Sequence, residues 1–312
     1  MLLAISGCVP SEPQEPTLFA EVAEESGVIF RNDLEENENQ NIVDYLYFYN
    51  GAGVAVADFN NDGLEDIYLV RNQGANELFW NQGDFKFVPG AEKAGIQGKA
   101  DFQNGASVVD INADGYPDLS ISGVEHLGWK GGHEFYLNDG HGGFTEVADS
   151  IGLAFGGFGQ QVLFFDADND GDQDAYVLRH SARPSGAYHK SSIRKENDPL
   201  AGDRFLRNTG SVDWPKFEDV TEEVGVLSSP LGYGLSVISR DFNEDGFLDV
   251  YVANDFHEND YLYLNVGGSR FELVTEESFQ THSKFTMGID AADFTGDGHQ
   301  DLFTLDMKPW AE

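Results

Sequence analysis

The sequence predicts an all-β protein, a β-propeller of four-stranded antiparallel blades, on three observations. A nine-residue loop, Asp-x-[Asp/Asn/Thr]-x-Asp-Gly-x-x-Asp, occurs five times, starting at Asp58, Asp110, Asp166, Asp241 and Asp293. These starts lie 52, 56, 75 and 52 residues apart, a spacing that marks a repeat architecture. Each copy sits between short apolar runs of strand length, and helical periodicity is nearly absent.

The elements of one period can be justified in order. Val54–Ala57, Ala106–Val109, Val162–Phe165, Leu235–Ile238 and Gly288–Ala291 lead into the loops. Ile67–Val70, Leu119–Ser122, Ala175–Leu178, Val250–Ala253 and Leu302–Leu305 leave them. Both sets are rich in β-branched and aromatic residues bounded by Gly and Asp, as strands are. A third run, Glu77–Asn81, Glu134–Asn138, Arg204–Asn208 or Tyr261–Asn265, ends in Asn-x-Gly, which suits positive φ in a hairpin. The fourth starts at Phe87, Phe144 or Phe217 and reaches Gly95, Gly152 or Gly225. One-turn helices are expected near Ala91–Lys93 and Thr221–Val224. Four such strands per period make a propeller blade.

The ends set the register. Residues 1–16 read as a leader remnant and tether, and 17–312 as the propeller. Phe19–Val22 reads as a fourth strand, so the chain enters on the outer strand of a blade. After the fifth loop no third or fourth strand follows before Glu312. The alternatives are five blades closed imperfectly and part of a larger ring of about seven. The larger ring is preferred, because an open propeller leaves edge strands uncovered.

Net charge is −37, from 55 acidic and 18 basic residues. Nucleic acid is excluded as a partner, since its binding depends on Lys and Arg neutralising phosphates. The single cysteine, Cys8, rules out an intrachain disulfide. Its setting, Ile5-Ser6-Gly7-Cys8 followed by the Pro-rich residues 9–16, resembles a bacterial lipoprotein box and tether. Lipidation of Cys8 and a secreted, outer-membrane or cell-surface location are therefore expected, with membrane contact only through that anchor. The apolar stretch before Cys8 is short for a signal peptide and lacks a basic start.

The loops present oxygen ligands in the pattern a hard divalent cation takes, with Gly at the sixth position for the sharp turn. The expected side-chain ligands are Asp58, Asn60, Asp62 and Asp66; Asp110, Asn112, Asp114 and Asp118; Asp166, Asp168, Asp170 and Asp174; Asp241, Asn243, Asp245 and Asp249; and Asp293, Thr295, Asp297 and Asp301. Backbone carbonyls are expected from Leu64, Tyr116, Asp172, Phe247 and His299. Up to five Ca²⁺ ions follow. A ninth-position Asp instead of a twelfth-position Glu, with strands on both sides, separates these loops from EF-hands. Ligand charge ranks the third loop tightest, with four carboxylates, and the fifth weakest, with Thr295. Metal-free Asx turns would also satisfy one such loop. Five loops, each crowding at least three carboxylates that repel without a cation, favour the metal.

These residues resemble the FG-GAP/VCBS-repeat propellers, whose blades carry a calcium loop between their first and second strands, as in integrin α-subunits. The supporting stretches are Tyr49 to Gly63, Tyr251 to Phe256, Met287 to Asp293 and Leu305 to Pro309. A closer similarity is to the bacterial proteins similar to cartilage acidic protein. The resemblance covers about residues 17–309 and implies calcium binding and a surface role. It supplies no reaction. Many of that group have a further C-terminal domain, which is not expected within these 312 residues, and the third loop is followed by an insertion.

That insertion, 179–203, carries Arg179, Arg183, Lys190, Arg194 and Lys195. It is a candidate surface loop for an anionic or glycan partner; the alternative is that it balances neighbouring acidic loops. The eight His show no zinc-ligand spacing, and neither a nucleophile elbow nor a phosphate-cradling Gly loop occurs. No catalytic residue is assigned. Of the four Trp, which could stack on sugars, at least Trp80 is expected in packing. The expected function is a calcium-binding surface propeller that binds a protein or glycan ligand, or adheres. The alternatives are a calcium-dependent polysaccharide lyase or hydrolase on the same scaffold, and a purely structural domain.

Overall fold

Alternating apolar runs bounded by Gly and Asp become short antiparallel strands throughout. A computed structural model describes residues 19–126, 128–181, 191–211, 213–256 and 258–307. The first repeat is β1 (Val54–Ala57), β2 (Asp66–Leu69), β3 (Glu77–Asn81) and β4 (Phe87–Pro89), hydrogen-bonded in that order. The second is β5 (Gln103–Val109), β6 (Asp118–Glu125), β7 (Glu134–Asn138) and β8 (Phe144–Glu146). The third is β9 (Gly157–Phe165), β10 (Asp174–Arg179), β11 (Arg204–Asn208) and β12 (Phe217–Asp219). The fourth is β13 (Gly234–Arg240), β14 (Asp249–Asn254), β15 (Tyr261–Val266) and β16 (Arg270–Leu273), and β17 (Thr286–Ala292) pairs with β18 (Asp301–Asp306).

The meanders stand side by side in a propeller-like arrangement. β1 lies next to β5, β5 next to β9, β9 next to β13 and β13 next to β17. Apolar cores fill the spaces between successive meanders. Tyr68 and Leu78 of the first meet Leu119, Ile121 and Tyr136 of the second. Phe135 meets Val162, Ala175 and Val177 of the third. Tyr176 and Phe205 then meet Val250, Val252 and Tyr263 of the fourth. Each large apolar side chain removed from water this way contributes about 1.5–3 kcal/mol. The second and third meanders are also joined edge to edge. β6 runs beyond β7 and pairs with β9 at Val124–Phe158 and Glu125–Gly157, making one eight-stranded sheet.

Each meander's fourth strand is followed by a single helical turn, including the two expected near Ala91 and Thr221. Besides α1 (Ala23–Ser26), these are α2 (Ala91–Ala94), α3 (Ala148–Ile151), α4 (Thr221–Val224) and α5 (Thr275–Ser278). The first four end on a glycine in the left-handed conformation. Gly152 shows why glycine is required: φ is +83° and a Cβ would lie 2.4 Å from the Phe217 carbonyl oxygen of the next meander.

Two local expectations need correction. Phe19–Val22 is not a strand: it leads into α1, Phe19 is 89% exposed, and the segment pairs with no strand among the described residues. Gly210 does not take positive φ, unlike Gly83, Gly140 and Gly267; glycine is needed there because a Cβ would sit 2.5 Å from the Lys216 nitrogen.

Residues 28–53, of which only the last five carried any expectation, form a strandless cover. Tyr45, Tyr47 and Phe48 are buried against Phe102, Val124, Trp129, Phe158 and Tyr233. The Asn32 and Asn72 side chains help tie the cover down: Asn32 Nδ2 donates to Asn72 Oδ1 at 2.7 Å and Asn32 Oδ1 accepts the Asn72 N–H at 2.9 Å. Among the described residues, no helix is long and apolar enough to cross a membrane.

Candidate metal centres

The nine-residue loops join β1 to β2, β5 to β6, β9 to β10, β13 to β14 and β17 to β18, so all five sit at the same end of their meanders. They share one hydrogen-bond scheme. The first-position Asp accepts the N–H of the fifth residue on one carboxylate oxygen and of the sixth on the other, as Asp58 does from Asp62 (3.0 Å) and Gly63 (2.7 Å). Asp110, Asp166, Asp241 and Asp293 repeat it. The fifth-position Asp62, Asp114, Asp170, Asp245 or Asp297 accepts the N–H of the seventh residue: Leu64, Tyr116, Asp172, Phe247 or His299. Short polar side chains that capture nearby N–H groups make tight turns of this kind. The chain turns through left-handed φ at the sixth-position Gly and again at the fourth position, where Asn61, Ala113, Asn169 and Glu244 adopt it without being glycine.

The donor set fits a hard divalent cation. In the third loop Asp166, Asp168 and Asp170 each offer a carboxylate oxygen, all within 4.8 Å of one another. Oxygens bound to Ca²⁺ at about 2.3–2.6 Å lie no more than about 5 Å apart. At the third position, Asn60, Asn112 and Asn243 accept the N–H of the fifth residue. Thr295 donates its own N–H to Asp301.

The ninth-position Asp has a further role that its spacing did not reveal. Asp66, Asp118, Asp174 and Asp249 are at most 2% exposed. Asp118 Oδ2 accepts the Ile111 N–H at 3.0 Å and Oδ1 accepts the Asn138 N–H at 2.8 Å, tying the loop to the third strand. Asp66 and Asp249 bond in the same way, and Asp174 accepts from Asn208. Burial pushes the carboxyls of Asp66 up to about 6 and of Asp118 and Asp174 up to about 7, with the backbone donors opposing. Burial raises Asp249 too.

The partner of this buried Asp is the Asn of Asn-x-Gly, read from sequence only as a turn signal. Besides donating its N–H, it accepts from glycine on Oδ1, as Asn81 does from Gly83, Asn138 from Gly140, Asn208 from Gly210 and Asn265 from Gly268. The signal was present as an Asn recurring in every third strand.

Electrostatics modify the expected ranking of the loops. Arg207 on β11 places Nε 3.7 Å from Asp168 Oδ2, and its Nη2 donates to the Gly268 carbonyl. The residues equivalent to Arg207 are Trp80, Leu137 and Leu264, so only the third loop has a cation at that place. Burial and the neighbouring loop carboxylates push Asp172 up to about 6.

Of the insertion's basic residues, the three that are described, Arg179, Arg194 and Lys195, sit in different settings. Arg179 is 3% exposed: its Nη1 donates to the Pro199 carbonyl and its guanidinium lies over the Phe155 ring. It packs inside because it is the last residue of the buried strand β10. Arg194 pairs with Glu258 at 2.6 Å, and Lys195 is exposed. Arg183, Lys190 and Cys8 lie outside the described residues. Among the described residues, two histidines are in the interior. Burial pushes both His133 and His180 down to about 3, and His180 Nε2 is 2.7 Å from the Tyr45 hydroxyl. Trp129 is buried, Trp80 packs in the first core, and Trp214 is 48% exposed.

At the opposite end of the meanders lies a polar cleft of about 660 Å³. Its lining includes Arg31, Asp33 and Glu35 of the cover, Arg71 and Gln73 after β2, and Trp129.

Two stretches of the chain, residues 58–121 and 241–304, match the model of FG-GAP-like repeats. Those spans contain the first, second, fourth and fifth loops; the third lies between them. Among curated proteins the chain is similar to cartilage acidic protein 1. It is 27% identical to the Homo sapiens protein over 211 residues, 65% of this chain and 28% of that protein. It is 28% identical to the Mus musculus protein over 208 residues, 65% of this chain and 29% of that one. The chain therefore spans less than a third of these relatives. Among solved structures, an Agrocybe aegerita lectin that recognises terminal N-acetylglucosamine aligns with a TM-score of 0.45 at 17% identity, over 80% of this chain and 59% of that chain.

Proposed function

We propose that this protein is a calcium-binding β-propeller, each meander a blade, that serves as a ligand-binding or adhesion module at the cell surface. The observation that supports it most is the five-fold loop scheme, in which the fifth-residue N–H fixes the first-position carboxylate and the seventh-residue N–H fixes the fifth-position one. Fixed carboxylates so close together repel one another, and a bound cation removes that repulsion. The ion's role is structural: each one holds a strand connection, and its binding energy adds to folding energy. Ligand contact is assigned to the opposite end, where the polar cleft has room for a small glycan or a peptide segment. The lipid anchor at Cys8 and the outer-surface location belong to the same proposal.

Calcium titration of stripped protein by calorimetry tests the metal. Heats of binding are expected, and their absence refutes the assignment. A screen of glycans and surface proteins, with calcium and then with chelator, tests the module. Binding lost on chelation is the expected result. Turnover of a polysaccharide would replace this reading with an enzyme.

A further inference from the structure

We infer that Asn138 and Asn265 are positioning residues for two metal loops each, so that loops one and two, and loops three and four, take up calcium as coupled pairs. This rests on the calcium reading above.

Asn138 is 4% exposed and belongs to the second meander. Its Nδ2 donates at 2.9 Å to the Pro117 carbonyl in its own loop, and at 2.8 Å to the Phe59 carbonyl in the loop of the first meander. Phe59 stands between the expected ligands Asp58 and Asn60, and its N–H donates to Asp66. One buried amide nitrogen thus ties the eighth peptide of loop two to the second peptide of loop one. The arrangement recurs at Asn265, 1% exposed. Its Nδ2 donates to the Leu248 carbonyl in loop four at 3.2 Å and to the Ala167 carbonyl in loop three at 2.7 Å. This second pair is further bridged by Asn169 Nδ2, which donates to the Gly246 carbonyl at 3.0 Å.

Between loops two and three the link is missing. Asn208 occupies the corresponding place and is 5% exposed, yet its buried Nδ2 finds no partner among the described residues. An amide donor needs a partner when buried, so in the two linked joints a shift of one loop on ion uptake must move the other or break the bond. In the joint at Asn208 no such side-chain amide links the two loops among the described residues. Coupling between sites is reciprocal and typically amounts to about 5-fold or more in affinity.

The test uses the full chain labelled with [15N]glycine. Gly63, Gly115, Gly171 and Gly246 donate their N–H to the first-position Asp of loops one to four, so each reports its own loop. Calcium is titrated into stripped protein, with and without loop two disabled by Asp110→Asn and Asp114→Asn, which leave the buried Asp118 in place. The expected result is a Gly63 midpoint raised about 5-fold, with Gly171 unchanged, and loss of the Gly63 effect in Asn138→Ala. A Gly63 midpoint indifferent to loop two, or a Gly171 midpoint that moves as much, overturns the inference while leaving calcium binding intact. Persistence of the effect in Asn138→Ala overturns it as well. If Asn138→Ala does not fold, the comparison of Gly63 with Gly171 needs no Asn variant and still decides. No calcium response at any of the four glycines overturns both this inference and the calcium reading.

Discussion

Asn265 and Asn208 occupy equivalent places with unequal bonding, and the difference can be measured as stability. Asn265→Ala removes a donor from the Ala167 and Leu248 carbonyls and an acceptor from the Gly268 N–H. The Ala167 and Gly268 bonds are buried and the Leu248 bond is half-buried. Each buried group left unsatisfied costs about 1–3 kcal/mol, and a hydrated one about 1, so the loss is about 3–7 kcal/mol. Asn208→Ala removes only an acceptor, used by the Gly210 and Lys216 N–H groups, both half-buried, and it deletes an amide nitrogen that has no partner. Its cost is about 1–2 kcal/mol. The same atoms are deleted in both variants, so the cavity terms are similar and largely cancel in the comparison. Urea unfolding of the two variants, followed by tryptophan fluorescence and far-UV circular dichroism in saturating calcium, gives the difference directly. Equal losses, or a larger loss for Asn208→Ala, would show that the side-chain amide is not what holds neighbouring meanders together.

Calcium should raise the thermal midpoint and chelation should reverse the rise, since a site filled at 100 times its Kd adds about 2.7 kcal/mol; identical melting curves with and without chelator would sink the metal assignment. Gly152→Ala should cost about 2–5 kcal/mol, because φ is +83° and the new Cβ would lie 2.4 Å from the Phe217 carbonyl oxygen. Gly63→Ala, at φ +87° with nothing within 4 Å, should cost only about 1–2 kcal/mol in calcium-free buffer. Comparable losses for these two variants would remove the packing argument. His180 gives a pH signature. Burial holds it down to about 3 against an ordinary 6.5, so the folded protein binds fewer protons below pH 6.5. Its contribution is complete above pH 6.5 and is lost as pH falls towards 3, with a slope of about 1.4 kcal/mol per pH unit. His180→Gln should make the acid limb of the stability curve shallower by about one proton, and an unchanged slope would refute the assignment.

The repeat count, the strand order and the loop positions were legible because they rest on local rules. A loop needs Asp and Gly at fixed places, a strand needs alternation, and a helix end needs glycine. What was not legible depended on the neighbouring meander. Nothing near Asn138 in sequence shows that it reaches Phe59, 79 residues earlier. The cover over residues 28–53 lacks periodicity because its Tyr45, Tyr47 and Phe48 anchor to residues from several meanders rather than to one face. Arg179 read as part of a basic loop because charge is visible in a sequence and the end of a buried strand is not. Its guanidinium rests between the Phe155 ring and the Pro199 carbonyl, contacts that exist only once the third meander has folded.

The ninth-position Asp joins the two halves of this account. Read from spacing it is a cation ligand; in the fold it also fixes the loop to the third strand. The roles are compatible, since each carboxylate oxygen has two lone pairs and the backbone N–H groups use one apiece. They are also energetically linked. The Asp118 carboxyl is raised first by burial and further by the charges of Asp114 and Asp110 in its own loop, against the donors Asn138 and Ile111. The acidity that would hold an ion therefore works against the ionised form of the tie beneath it, and a divalent cation among those carboxylates reverses the sign of that field. Cations bound in the loops would also neutralise part of the net charge of −37. On the proposed calcium reading, loop and tie would act as one device: a bound metal would stabilise the anion that the third strand holds, and the third strand would hold a carboxylate for the metal.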